Sequence, residues 1–178
     1  MRIISGQLKG RRIKPPANNW PTRPTTDFAK EALYNILQHR IDFEEMRMLD
    51  LFGGAGNHSL ECISRGCQDV TYVDLHPPCC RFVEQTVREW GIEASIQVRN
   101  MDVFAFLALP SPPFTFIFAG PPYALPQIDQ LPDMILNRGL LAEDGDLVIE
   151  HDPTHDFTKH PRFVEVRQYG QTHFSFFA

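Results

Sequence analysis

Apolar and polar positions change period several times along the chain, and each change marks an element. Residues 1–14, "MRIISGQLKGRRIK", alternate in two short runs around glycines, which predicts a β-hairpin. "PPANNWP" at 15–21 is loop by composition. In "RPTTDFAKEALYNILQH", Thr26 is placed to cap a helix and Asp27 suits the positive end of its first turn. Ala29, Ala32, Leu33, Ile36 and Leu37 then keep the spacing of one apolar helix face. From about residue 46 the pattern alternates strand and helix. "MRMLDLF" reads as a strand, "GGAGN" as a tight loop, and "HSLECISR" as a helix stopped by Gly66. "DVTYVD" is a second strand, and "PPCCRFVEQTVREW" a helix with proline at its start and Gly91 after it. "ASIQVR" and "FTFIFA" are the third and fourth strands, with the short helix "MDVFAFLAL" between them. "QIDQLPDMILNRG" reads as helix with Pro132 as a weak point, and "GDLVIEH" as a fifth strand. "RFVEVRQYG" and "THFSFFA" meet at Gly170, close enough to pair as a hairpin. Strands alternating with helices predict an α/β fold, a mostly parallel sheet covered on both faces.

Composition narrows this picture. A length of 178 residues with 43% hydrophobic content fits one domain with a sizeable core and a small appendage. No apolar run approaches the roughly 18 residues that a membrane span needs, so none is expected. "MRIISGQLKG" lacks an apolar signal core, which points to the cytoplasm. Cys62, Cys67, Cys79 and Cys80 form no CxxC pair and are read as reduced thiols. Net charge is -5, but residues 1–24 hold Arg2, Lys9, Arg11, Arg12, Lys14 and Arg23 and no acid. A basic arm at 1–24 on an acidic body at 25–178 suggests a polyanionic partner, because phosphate contacts need a local patch rather than a global excess.

In open α/β sheets, ligands bind beyond the carboxyl ends of the strands, so the residues there are the candidates. After the first strand, Gly53, Gly54 and Gly56 permit a sharp turn and a close backbone approach to a ligand. The Gly-Lys-Ser/Thr ending of a P-loop is absent, and Ser59 stands where a dinucleotide fingerprint has its third glycine. After the second strand comes Asp74, at a spacing that suits an acceptor for both hydroxyls of a ribose. After the third comes Asp102, placed for an exocyclic adenine amine. After the fourth comes Gly120-Pro121-Pro122-Tyr123, a proline-stiffened corner with one ring at its tip. Tyr123 can stack on a nucleobase, worth roughly 1–3 kcal/mol, and the Gly120 and Pro121 carbonyls are placed to accept from an amine.

"LDLFGGAG", "YVD" and "PPY", in this order, resemble S-adenosylmethionine-dependent methyltransferases acting on exocyclic amines of nucleobases. "MRIISGQLKGRRI", "RPTTDFAKEALYNIL", "LECISRG" and "YGQTHFSFF" narrow the resemblance to the RsmD-type family, which methylates N2 of one guanine in 16S ribosomal RNA. It covers nearly the whole chain, with Arg-Pro-Thr-Thr-Asp its most specific part. The resemblance implies a Rossmann-like seven-stranded sheet with an antiparallel C-terminal hairpin and a small N-terminal β-hairpin. It implies S-adenosylmethionine held by Phe52, Gly53, Gly54 and Gly56, with Asp50 at its methionine end. Asp74 and Leu75 would meet the ribose, Asp102 and Val103 the adenine, and Arg23, Pro24 and Thr25 would line the site. Arg2, Lys9, Arg11, Arg12 and Lys14 would hold RNA, as part of a 30S subunit or an assembly intermediate, and the protein would be a monomer.

One position departs from the family's pattern, which has Asp or Asn directly before Pro-Pro-Tyr/Phe; here it is Gly120. A guanine amine is a poor nucleophile because its lone pair is delocalised into the ring. An acceptor side chain orients the amine and supports charge developing on nitrogen. Losing one preorganised polar contact of this kind costs on the order of 3–4 kcal/mol, about a hundred- to thousand-fold in rate. Three readings stay open: a slow methyltransferase, an RNA- or ribosome-binding relative with impaired catalysis, and a point variant of a fast enzyme. A DNA adenine-N6 methyltransferase shares the strand-four corner but would need a DNA-recognition domain. A nucleotide-dependent dehydrogenase explains neither the corner nor the arm. His151 and His155 are four apart, but Pro153 between them argues against a helical metal pair, so no metal is expected. Glu150, ending the fifth strand, and the phenylalanines at 104–118 and 174–177 read as structural.

Overall fold

The structure is a computed structural model that describes residues 1–17 and 20–178; Asn18 and Asn19 of the expected 15–21 loop lie outside the described residues. Strands β1 (Met48–Leu51) and β2 (Val70–Asp74) are buried at every position, which is why both read as continuous apolar runs rather than alternating ones. With β3 (Ile96–Asn100), β4 (Phe114–Ala119), β5 (Leu141–His151), β6 (Phe163–Tyr169) and β7 (Thr172–Phe177) they form one sheet in the order β3-β2-β1-β4-β5-β7-β6. The first five strands pair parallel; β7 runs antiparallel to both β5 and β6. The expected α/β sheet and its C-terminal hairpin are therefore present. Strand order reverses between β1 and β4, opening a crevice at their carboxyl ends.

Helices α1 (Asp27–Leu37), α2 (Asn57–Ser64), α3 (Pro77–Glu89), α4 (Val103–Leu107) and α5 (Leu131–Leu136) cover the sheet. Val103, Phe106, Leu131 and Ile135 of α4 and α5 pack with Leu49, Ile117 and Ile149 on one face. Leu33 and Leu37 of α1 pack with Met48, Phe116, Phe118 and Val148 on the other. No helix among the described residues is long and apolar enough to cross a membrane. All four cysteines are buried and free.

Three expectations need correction. The N-terminal segment forms no named strands: its two limbs meet in a single antiparallel bridge, Arg2 to Arg12, with Ile3 N–H donating to Arg11 C=O and Ile13 N–H to Met1 C=O. Nor does it stand off as an appendage, because Ile3, Leu8 and Ile13 are buried against Leu60, Tyr72, Val83 and Val87. In α1, Thr26 does cap the helix, accepting from Ala29 N–H at 3.2 Å. The buried stripe, however, is Ala29, Lys30, Leu33, Tyr34 and Leu37, while Ala32 and Ile36 are only half-buried. The stripe rotates toward Lys30 because that ammonium finds a buried partner in Glu61. Pro132 falls in the first turn of α5, where its missing N–H has no partner to lose, so it starts the helix instead of weakening it.

Candidate functional site

The crevice is a cleft of about 460 Å³, within the size range of small-molecule sites of roughly 300–1,000 Å³. Its walls come from the ends of β1, β2 and β4, the start of α4, and the segment 21–25. Asp50, Phe52, Gly53, Gly54, Asp74, Leu75, Asp102, Val103, Arg23, Thr25 and all of Gly120–Tyr123 line it. Gly56 does not: with φ +79° it caps α2, and a Cβ there would meet Val83 at 3.0 Å.

Each acid is held before any ligand arrives. Asp50 is buried and accepts from Ser59 N–H at 3.2 Å and Ser59 O–H at 2.6 Å. Burial still pushes its carboxyl up to about 7, the Ser59 bonds opposing the shift only in part. Ser59 thus does more than fill a glycine's place: it anchors the first-strand acid to α2. Asp74 accepts from Gly54 N–H at 2.9 Å and His76 N–H at 2.8 Å, which ties the glycine turn to the second strand. Asp102 caps α4, accepting from Ala105 N–H at 3.1 Å.

The glycine turn has internal reasons for its composition. A Cβ on Gly53 would lie 2.2 Å from the Tyr72 ring, whose hydroxyl donates to Gly54 C=O at 2.6 Å. Gly54 has φ +56°. Phe52, just before them, takes φ +59°, a left-handed conformation that bulky residues avoid. Its ring meets Phe104 edge to face at 6.3 Å. Phe104 and Phe118 both line the cleft, so two of the phenylalanines read as core face the site.

At the other end of the cleft, Gly120 N–H donates to Leu51 C=O at 3.1 Å, joining the β4 corner to β1. Tyr123 O–H donates to Glu150 Oε2 at 2.9 Å, and the Arg23 guanidinium stands 5.7 Å from the Tyr123 ring centroid. The Tyr123 phenol is pushed up to about 12, chiefly by burial and then by the Glu150 carboxylate. Glu150 is not merely a strand end. It is 5% exposed, lines the cleft, and its Oε1 accepts the Thr25 hydroxyl. Thr25 Oγ1 also lies 3.0 Å from His58 Nε2, and His58 Nδ1 lies 3.2 Å from Tyr34 Oη. Burial holds His58 well below its usual range and therefore neutral, with its ring stacked on Phe118 at 3.7 Å. Sequence reasoning missed His58 and the role of Glu150. The available signal was a polar residue in "LVIEH" directly after a buried apolar run. His151 and His155 hold separate partners: His151 faces Ser175 Oγ at 2.7 Å and His155 faces Asp129 at 2.7 Å.

On the arm, Lys9, Arg12 and Lys14 are exposed. Arg2 pairs with Asp27 and Glu31, and Arg11 lies 5.3 Å from the Trp90 ring.

Comparison with known proteins places this geometry among relatives. YlbH of Bacillus subtilis (strain 168) is 36% identical over 155 residues, 85% of this chain and 83% of that one. Ribosomal RNA small subunit methyltransferase D of Escherichia coli (strain K12) is 27% identical over 152 residues, 85% of this chain and 75% of that one. The solved structure of a hypothetical protein from Thermus thermophilus superposes with a TM-score of 0.84 at 29% identity, covering 99% of this chain and 98% of that one. The family described as Conserved hypothetical protein 95 matches residues 1–178, so the whole chain belongs to that family.

Proposed function

We propose that this protein transfers a methyl group from S-adenosylmethionine to the exocyclic N2 amine of a guanine in 16S ribosomal RNA. The observation that carries this reading is a single cleft walled by three strand-end acids and the Gly-Pro-Pro-Tyr corner. The E. coli relative's name supports ribosomal RNA as the substrate class. Bound S-adenosylmethionine supplies an electrophilic methyl carbon on a sulfonium sulfur. Asp50 would meet its positive methionine end, Asp74 its ribose and Asp102 its adenine, with Phe52, Gly53, Gly54, Leu75 and Val103 lining the same cleft. The fit is chemical as well as spatial: a buried carboxyl at about 7 gains a reason to ionise when a cation arrives. Tyr123 and the two prolines receive the flat guanine, which must be splayed out of folded RNA to reach them. The arm at 1–24 holds the RNA backbone, and the body at 25–178 performs the transfer as a monomer in the cytoplasm, on a 30S particle.

Two measurements test the reading. Calorimetry with S-adenosylhomocysteine should show binding about tenfold tighter at pH 8 than at pH 6, because the Asp50 anion is scarce below its folded value. The sign for stability is opposite. A carboxyl raised from 3.8 to about 7 contributes stability below its ordinary value, and that contribution is lost as pH rises through about 7. No heat of association at either pH removes the cofactor site and the assignment with it. For the arm, replacing Lys9, Arg12 and Lys14 with alanine should weaken RNA binding and flatten its salt dependence by about 2–3 logarithmic units of slope. Affinity for S-adenosylhomocysteine should stay unchanged in that variant; an unaltered salt slope would place the RNA elsewhere.

A further inference from the structure

The β4–β5 ladder ends at the pair Ala119 and Ile149. The next pair in register is Gly120 and Glu150. Side chains in a strand alternate faces, and paired residues of neighbouring parallel strands share a face. Phe118 and Val148, the pair two residues earlier, both lie in the cluster beneath α1. Glu150 therefore projects on the face where a side chain at 120 would project, one strand spacing of about 4.8 Å away.

Building on the reading above, we propose that Glu150 is the acceptor carboxylate for the guanine amine, standing in for the side chain that Gly120 lacks. Its placement suits the task. Thr25 holds Oε1 and Tyr123 holds Oε2, so the carboxylate is fixed by the Arg-Pro-Thr-Thr segment on one side and the Pro-Pro-Tyr corner on the other. Each oxygen keeps a second lone pair for an amine hydrogen. Burial raises this carboxyl above its ordinary range, the direction that makes its anion a better base. In the transfer, the amine lone pair forms the N–C bond, the methyl–sulfur bonding pair goes to sulfur, and one amine proton passes to Glu150. Sulfonium, neutral amine and carboxylate become thioether, methylamine and carboxylic acid, so charge balances. The proton then leaves to solvent.

The test is Glu150→Gln, nearly the same shape but without the charge. Turnover on 30S particles isolated from cells lacking this enzyme should fall at least about a hundred-fold. Affinity for S-adenosylhomocysteine and the thermal midpoint should stay close to the parent's. With cofactor saturating at every pH, so that the Asp50 dependence of binding does not show, turnover of the parent should rise with pH as Glu150 ionises, and Glu150→Gln should lose that limb. Adding Gly120→Asp should raise Glu150→Gln by a clearly larger factor than it raises the parent, a non-additivity that a merely structural glutamate would not give. Turnover within threefold of the parent, or an intact pH limb, overturns the assignment, as does a Gly120→Asp gain no larger in Glu150→Gln than in the parent. If instead the parent binds S-adenosylhomocysteine but methylates no nucleic acid, the proposed function itself fails and takes this role with it.

Discussion

Gly120→Asp should raise methyl transfer to 16S RNA by on the order of tenfold or more, measured with radiolabelled S-adenosylmethionine on 30S particles. The added carboxylate would place an acceptor in the main chain's own corner, in line with the Gly120 and Pro121 carbonyls and closer to the amine than Glu150. The structure sets one condition. A Cβ at 120 stands 3.0 Å from Phe118 Cε1, tighter than ordinary packing, and the Phe118 ring is itself stacked on His58. That ring must yield by a few tenths of an ångström, while the backbone at 120 needs no left-handed conformation. Gly120→Ala imposes the same contact without the acceptor and should give no increase. An aspartate variant no faster than the alanine one would mean that position 120 is not where the amine is held.

Lys30→Met should lower the free energy of unfolding by about 3–5 kcal/mol, the usual cost of removing one partner from a buried ion pair. Lys30 Nζ lies 2.9 Å from Glu61 Oε1 with both side chains at 0% exposure. It also donates to Asn57 Oδ1 at 2.8 Å and to Arg2 C=O at 2.9 Å. Glu61 in turn accepts Ile4 N–H at 2.8 Å, Ser5 N–H at 3.1 Å and Arg65 Nε at 2.9 Å. Burial lowers the Lys30 ammonium, and the Glu61 carboxylate beside it opposes that shift. Methionine matches the length of the stem but strips the buried Glu61 Oε1 of its ammonium, leaving Arg65 at Oε2 as the remaining cation. In a domain whose total stability is typically about 5–15 kcal/mol, the midpoint in urea should move visibly with little change in slope. A loss below about 1 kcal/mol would mean that Arg65 and the Ile4 and Ser5 amides hold the Glu61 charge without Lys30.

Much of this was legible before any coordinates. The helices followed from a 3.6-residue period, and β1, β2 and β4 from short, largely buried runs bounded by turn residues. Strand-end residues were legible because the α/β architecture fixes where ligands go, whatever the side chains are. The burial of Lys30 was not, since a lysine on a helix reads as solvent-facing until its acid, 31 residues away, is brought against it. The Thr25–Glu150–Tyr123 chain was illegible for the same reason: its members lie 125 and 27 residues apart and meet only through the register of β4 against β5. The arm misled in the other direction. Its alternation suggested a free hairpin, but the apolar half of that alternation faces Leu60 and Val83, so the segment is wall rather than tentacle.

That docking has a geometric outcome. With Ile3, Leu8 and Ile13 set into the interior and Ile4 and Ser5 tethered to Glu61, Lys9, Arg12 and Lys14 ride at a constant offset from the methyl-transfer cleft. If those cations grip phosphates, the segment works as a ruler. A base would then be methylated only when the fold of its RNA sets the neighbouring backbone at that one distance, and trimming the segment would break the gauge rather than shorten its reach.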